Sequence, residues 1–356
     1  MRSWTRFLWP VWLTLLLAAG CSSTGTSSVS TPRIAPPPAT TVTTTTPAAT
    51  GPVARGYAMM TDLPGETGVL LLGGADQPGP PDLPDMWSYE PKSGWSDITS
   101  STLPESDIAS GVVGNAFEFD IDSGLGVFAD IEGNTYAYDP TTERWTAKKT
   151  KDGPTELLGS SMVYDAGSDR MIVFGGFMFD SGVNGETWAY DVDSNTWEHM
   201  HPKNHPSARN YSAMAYDAAS DRVILFGGDN GTDVFGDTWG YDYESDSWTE
   251  MSPAKSPAAR DYSWMVYDPG SDRMVLYGGS KDQETATLDD TWAYDYDRNR
   301  WTRLVVDGPS ARAWHAMAYD DRTKTIVLFG GGTSRDEFTA ETWIFDPRRD
   351  TWSQVA

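Results

Sequence analysis

From residue 52 onward the chain alternates short apolar and aromatic runs, about five residues each, with clusters of Gly, Asp, Asn and Pro. The phrases "SMVYD", "MIVFGG" and "TWAYD" (from Ser161, Met171 and Thr187) are typical, being rich in β-branched and aromatic residues and closed by turn formers. No segment sustains a 3.6-residue period long enough to bury a helix face, so the pattern predicts strands throughout. The runs come in fours. A late Trp marks each group, at Trp95, Trp145, Trp197, Trp248, Trp301 and Trp352, spaced by 50, 52, 51, 53 and 51 residues.

Three more features recur along the units. A second aromatic stands earlier, in "WSYE", "YAYD", "WAYD", "WGYD", "WAYD" and "WIFD", at Trp87, Tyr136, Trp188, Trp239, Trp292 and Trp343. Upstream of it an apolar run ends in two glycines, at Gly73-Gly74, Gly175-Gly176, Gly227-Gly228, Gly278-Gly279 and Gly330-Gly331. The first strand carries Tyr164, Tyr216, Tyr267 or Tyr319. The second unit departs from this frame, with Ala129-Asp130 in place of the glycines. A four-stranded sheet cannot cover both its own faces, whereas six stacked around an axis bury each on its neighbours. The expected fold is therefore all-β, a six-bladed propeller of four antiparallel strands per blade. The first unit begins with its own first strand and the last ends with its own fourth, so closure is expected by packing, without exchange of a strand between the ends.

A strand ending in diglycine, an aromatic strand of the "TWAYD" kind and a Trp after the next turn, at about 50 residues, resemble the kelch repeat over residues 52–356. The resemblance implies a propeller scaffold with binding loops. It also raises enzymatic roles. A copper radical oxidase of the galactose-oxidase type requires a Tyr–Cys cross-link, and the one Cys, Cys21, stands outside the repeats. A sialidase requires Asp boxes, which "SGVNGETW" (Ser181–Trp188) does not supply. A sugar epimerase or mutarotase similar to the bacterial kelch enzyme acting on sialic acid remains an alternative.

The first fifty residues differ in kind. Met1 to Arg6 is basic and Phe7 to Ala19 is apolar at 11 of 13 positions, the layout of an export signal over residues 1–20. It ends at Ala18-Ala19-Gly20-Cys21, which resembles a bacterial lipobox and makes Cys21 the expected site of lipidation. Residues 21–51, almost wholly Ser, Thr, Pro, Ala and Gly after the Cys, have nothing to bury and read as a disordered tether. Residues 52–356 form the propeller domain. A lipid-anchored protein on the extracytoplasmic side of the cell membrane is expected.

Arg2, Arg6 and Arg33 are the only charged residues in 1–51, so residues 52–356 hold the other 23 basic and all 51 acidic side chains, a net charge of −28. A surface this acidic excludes nucleic acid as a partner. A single Cys excludes a disulfide framework. His199, His201 and His205 sit in a Pro-containing linker unsuited to holding a metal, Asp191–Asn195 lacks the Glu that would complete a calcium loop, and no cofactor is expected.

Candidate binding residues recur with the repeat. Arg55, Arg209, Arg260 and Arg312 each lie eighteen residues before their diglycine. Strand alternation puts them at the start of the inner strands, on the face where the long, dissimilar loops after the diglycines open. With Tyr211, Asp261, Tyr262, Trp314 and His315 they compose a candidate ligand site at the channel mouth, where guanidiniums would hold a carboxylate in bidentate geometry. The competing reading pairs each Arg with a nearby acid. Three roles stay open for a monomer: a binding module for a protein, an envelope glycan or an acidic small molecule; the sugar enzyme; and a structural envelope protein.

Overall fold

The computed structural model describes residues 51–355, apart from 64–67, 78–82, 104–115, 132, 156, 179–181, 284 and 335. The chain divides into two units, Met1–Thr46 and Pro47–Ala356, and the second holds all the described residues. The expected export signal, Cys21 and the tether up to residue 50 lie outside the described residues.

Every regular element among the described residues is a strand; they form six antiparallel blades of the expected four-strand pattern and one short two-stranded ribbon, Phe177–Met178 with Gly182–Val183. The inner strands are Met59–Leu63, Ala116–Asp120, Ser161–Asp165, Ala213–Asp217, Trp264–Asp268 and Ala313–Asp320. Each lies beside the next, and the first lies beside the last, so the ring closes. The sixth blade adds a short fifth strand, Glu337–Phe338, paired with Thr325–Ser334. Among the described residues no blade borrows a strand from the other terminus: the first is built from Met59–Asp97 and the last from Ala313–Gln354.

The hairpins explain the "DxxSD" phrases. The first Asp caps its own turn, as when Asp165 Oδ1 accepts from the N–H groups of Gly167 (3.0 Å) and Ser168 (3.1 Å), and Asp217 from Ala219 and Ser220. The second Asp adopts a left-handed backbone, with φ of 56° at Asp169, 55° at Asp221 and 52° at Asp272. That turn sets a register in which Asp165 opposes Arg170 and Met162 opposes Val173. The second strands, such as Arg222–Phe226, are buried on both faces and read as continuous apolar runs.

The late tryptophans join the blades. Trp248 packs on Tyr241 of its own blade at 4.9 Å between centroids and edge-on to Phe174 of the preceding one at 5.2 Å. Its indole N–H donates to Thr187 Oγ1 of that preceding blade at 3.0 Å. Trp197 to Thr135, Trp301 to Thr238 and Trp352 to Thr291 repeat the bond at 2.9–3.0 Å. Across the seam Trp95 donates to Thr342 at 2.8 Å and meets Phe329 at 5.0 Å, so the ends are sealed by the contact that joins other blades. Such aromatic packing adds about 0.5–1.5 kcal/mol per pair beyond burial.

Candidate functional site

The four repeated arginines start the inner strands, as their register requires, but their side chains do not reach the channel. Arg55, Arg209, Arg260 and Arg312 are at most 1% exposed. Each guanidinium turns into its own blade. Arg260 Nη1 donates to the Gly278 carbonyl at 2.8 Å and to Asp290 Oδ1 at 2.7 Å, Nη2 donates to Asp290 Oδ2 at 3.1 Å, and Nε donates to the Ala258 carbonyl at 3.0 Å. Arg55 with Asp85 and Arg209 with Asp237 repeat the arrangement, while Arg312 keeps the two carbonyl bonds and meets Glu341 through one oxygen at 2.6 Å. The eighteen-residue spacing is the hydrogen bond to the first glycine's carbonyl.

The carboxylates are set by the third strand. Each lies two residues before its Trp and accepts the indole N–H: Trp87 to Asp85, Trp239 to Asp237, Trp292 to Asp290, and Trp343 to Glu341, at 2.7–3.0 Å. Burial pushes the Asp237 and Asp290 carboxyls up, but the bonds and charge of Arg209 and Arg260 outweigh it and hold both below the usual carboxylate range. The backbone of the same arginines joins blades: the Arg209, Arg260, Arg312 and Arg55 carbonyls accept from Gly176, Gly228, Gly279 and Gly331 of the preceding blade at 2.9–3.0 Å. These guanidiniums are structural clamps. Holding a ligand carboxylate, the role expected of them, would require breaking a pair already made.

Two residues after each Arg, the chain does turn to the channel. Tyr57, Tyr211, Tyr262 and Trp314 have φ of 61°, 50°, 49° and 60°, a left-handed conformation that bulky residues rarely adopt. Gly159, with φ 69°, holds the position in the third blade, and Tyr211 leans over it. Backbone bonds link them in a chain: Tyr211 N to Gly159 O (2.7 Å), Tyr262 to Tyr211 (3.2 Å), Trp314 to Tyr262 (3.3 Å), and Tyr57 to Trp314 (2.8 Å). Their rings gather, Tyr211 to Tyr262 at 4.1 Å, Tyr262 to Trp314 at 5.5 Å and Tyr57 to Tyr262 at 6.0 Å. Phe338, from the loop after Gly330-Gly331, closes on Tyr57 at 6.0 Å. Tyr57 and Phe338 are rim members absent from the expected site, although Tyr57 shares the register of Tyr211, Tyr262 and Trp314.

Below this rim the inner strands enclose a channel of about 570 Å³. Its wall is mainly Met, Val, Ala and Tyr, with serines under the rim and Asp62, Glu118 and Asp321 toward the far end; among the described residues no Lys or Arg lines it. Ser263 Oγ and the Trp314 indole N–H are buried there without a hydrogen-bond partner. Thr61 and the Phe119 N–H both donate to Glu118 Oε1. Burial raises the Glu118 carboxyl to about 7 and the Asp62 carboxyl to about 8.

Asp261 is wholly buried and its backbone pairs with Ser280 in both directions at 2.9 Å. His315 is 1% exposed beside Tyr277, where burial and the neighbouring Arg312 push it down to about 3, so it is neutral. His199 stacks on Trp188 at 4.4 Å, and Asp191 pairs with Arg170 at 3.0 Å and caps its own turn.

Six four-stranded blades, the diglycine exits and the Trp bridges define a kelch-type propeller. Residues 126–308 and 270–356 match the family described as the KLHDC2/KLHL20/DRC7 Kelch-repeats domain. The chain belongs to the kelch-repeat family. Among curated proteins it is similar to Mei4-dependent protein 6 of Schizosaccharomyces pombe, 28% identical over 163 residues, covering 42% of this chain and 23% of that protein. It is also similar to multiple epidermal growth factor-like domains protein 8 of Mus musculus, 23% identical over 245 residues, covering 64% of this chain and 9% of that protein. The chain thus spans less than a quarter of the length of these relatives.

Proposed function

We propose that this protein is a lipid-anchored, extracytoplasmic kelch propeller that binds a protein partner at the aromatic mouth of its central channel. The observation that carries the reading is the rim itself. Four large aromatic residues are held at one repeat position in a backbone conformation costing of order 1–3 kcal/mol each, and strain of that kind clusters at ligand-binding sites. The variable loops after the diglycines open on the same face, and rigid frames with variable loops are how scaffolds carry recognition. An acidic ligand is disfavoured, because the described wall offers carboxylates and no cation. Anchoring would come through Cys21.

The test places a photo-crosslinking amino acid at Tyr262 and, separately, at Glu250 on an exposed fourth strand, in the full chain expressed in a lipoprotein-processing bacterium. The expected result is one defined cross-linked partner from position 262 and none from 250. Equal labelling from both, or none from 262, overturns the reading. Cys21→Ala is expected to abolish incorporation of labelled palmitate and release the protein from the membrane fraction.

A further inference from the structure

One channel position breaks the repeat. Two residues before the end of the inner strand four blades place Val163, Ala215, Val266 and Ala318, whereas the first two place Thr61 and Glu118. One residue further along, Asp62 stands where Tyr164, Tyr216, Tyr267 and Tyr319 occur. An acid in a mostly apolar wall weakens packing, and nothing in the blade architecture requires it, since the other blades close without it. Thr61 and the Phe119 amide share Glu118 Oε1, and among the described residues Oε2 accepts no hydrogen bond. Asp62 Oδ1 is also buried without a partner.

The surroundings select the charge of a ligand. Asp62, Glu118 and Asp321 line the channel with no described Lys or Arg to neutralise them. Rings at the opposite mouth, Tyr57, Tyr211, Tyr262 and Trp314, present π faces that attract cations within about 6 Å. Their partly apolar enclosure strengthens the attraction by lowering the dielectric. Trp314 and Ser263, residues 3% and 5% exposed, line the same channel, and their buried, unpartnered indole N–H and hydroxyl are suited to a peptide's carbonyl groups. A long, thin cation that carries amide groups at one end meets both requirements, and the acidic exterior draws it in.

Building on the mouth-binding reading, we propose that the channel receives the alkylammonium or guanidinium end of a Lys or Arg side chain from the partner polypeptide, threaded past the aromatic rim toward Glu118 and Asp62.

The experiment uses the full chain in detergent and an array of linear peptides that vary in charge, with spermidine as a free cation. Bound peptides are expected to require a Lys or Arg, to weaken at least tenfold when that residue becomes norleucine, and to weaken similarly with Glu118→Gln. That variant keeps the amide oxygen for Thr61 and Phe119 and serves as its own folding control through an unchanged melting cooperativity. Tyr262→Ala is expected to lose the same peptides. Peptides that bind through Tyr262 but tolerate norleucine and Glu118→Gln overturn the cation assignment and leave the mouth as a binding site. Spermidine binding as tightly as any peptide overturns the polypeptide source. Binding of neither peptides nor spermidine overturns both readings.

Discussion

Trp145 shares a core cluster with Met86 of the first blade, the residue that stands where every other late tryptophan finds a threonine. Met86 opens the third strand of its blade, the position held by Thr135, Thr187, Thr238, Thr291 and Thr342 in the rest, and Trp145 Nε1 is buried without a hydrogen-bond partner. Five of the six inter-blade joints thus carry this hydrogen bond, and at the joint between the first and second blades the tryptophan contributes packing alone. A buried donor deprived of its acceptor costs about 1–3 kcal/mol. Thr238→Val, nearly isosteric, is therefore expected to lower unfolding free energy by about that amount through Trp301. Trp145→Phe should cost less than Trp301→Phe by about 1 kcal/mol, because only the latter discards a made bond. Urea unfolding of the three variants checks both; equal losses for the two Trp→Phe changes would show that the bond contributes nothing.

The arginine clamps predict a stability effect. Arg260→Ala leaves Asp290, whose side chain is 13% exposed, without its cation and the Gly278 carbonyl without its donor. Breaking a buried pair in this way costs about 3–5 kcal/mol. Arg260→Lys should recover only part, since an ammonium cannot make the bidentate contact. Denaturant midpoints measure the loss, and a fall of less than about 1 kcal/mol in the alanine variant would contradict the clamp.

The repeated Arg is visible in the sequence, and so is its backbone position. Its partner is harder to see because the intervening loop varies: Asp237 is 28 residues beyond Arg209, Glu341 is 29 beyond Arg312, and Asp85 is 30 beyond Arg55. Counted backward from the third-strand Trp, the acid is always two residues away, and that register reveals it. The fold follows from the Trp period, since one strong aromatic contact per blade leaves a fixed spacing, and closure by packing follows from end units that each carry their own four strands. The rim is partly legible, in Tyr211, Tyr262 and Trp314, while Phe338 comes from a loop that no repeat constrains. Glu118 and Asp62 are hidden from a reading by repeats, because a period brings out the positions that recur and masks those that depart from it.

The diglycines separate two kinds of glycine. Gly227 has φ 72°, and a Cβ there would lie 2.4 Å from the Arg260 carbonyl of the next blade, whereas Gly231, at φ 83°, has nothing within 4 Å of that position. Gly231→Ala should cost only the left-handed backbone, about 1–2 kcal/mol. Gly227→Ala must in addition push apart two blades that Gly228 N–H and the Arg260 carbonyl hold at 2.9 Å, so it should destabilise the protein clearly more. Thermal melts of the pair test this, and similar melting temperatures would refute the close approach.

The channel acids give the protein a pH signature. Burial raises Glu118 from 4.5 to about 7 and Asp62 from 3.8 to about 8, so the folded chain keeps protons that the unfolded chain has released as neutral pH is approached. The unfolded state then binds fewer protons than the folded one, and stability falls as pH rises. The loss is absent below the ordinary carboxylate range, grows from about pH 4.5, and is complete above the raised values. Asp237 and Asp290 act in the opposite sense, but only below the ordinary carboxylate range, because their Arg partners depress them. Glu118→Gln removes one of the two raised groups while keeping the oxygen that Thr61 and Phe119 donate to. Between about pH 5 and 8 the wild-type urea midpoint should therefore fall more steeply than that of Glu118→Gln, with the curves drawing together near pH 4.5. Parallel curves across the interval would mean that Glu118 ionises freely in the folded protein and that burial does not hold its proton.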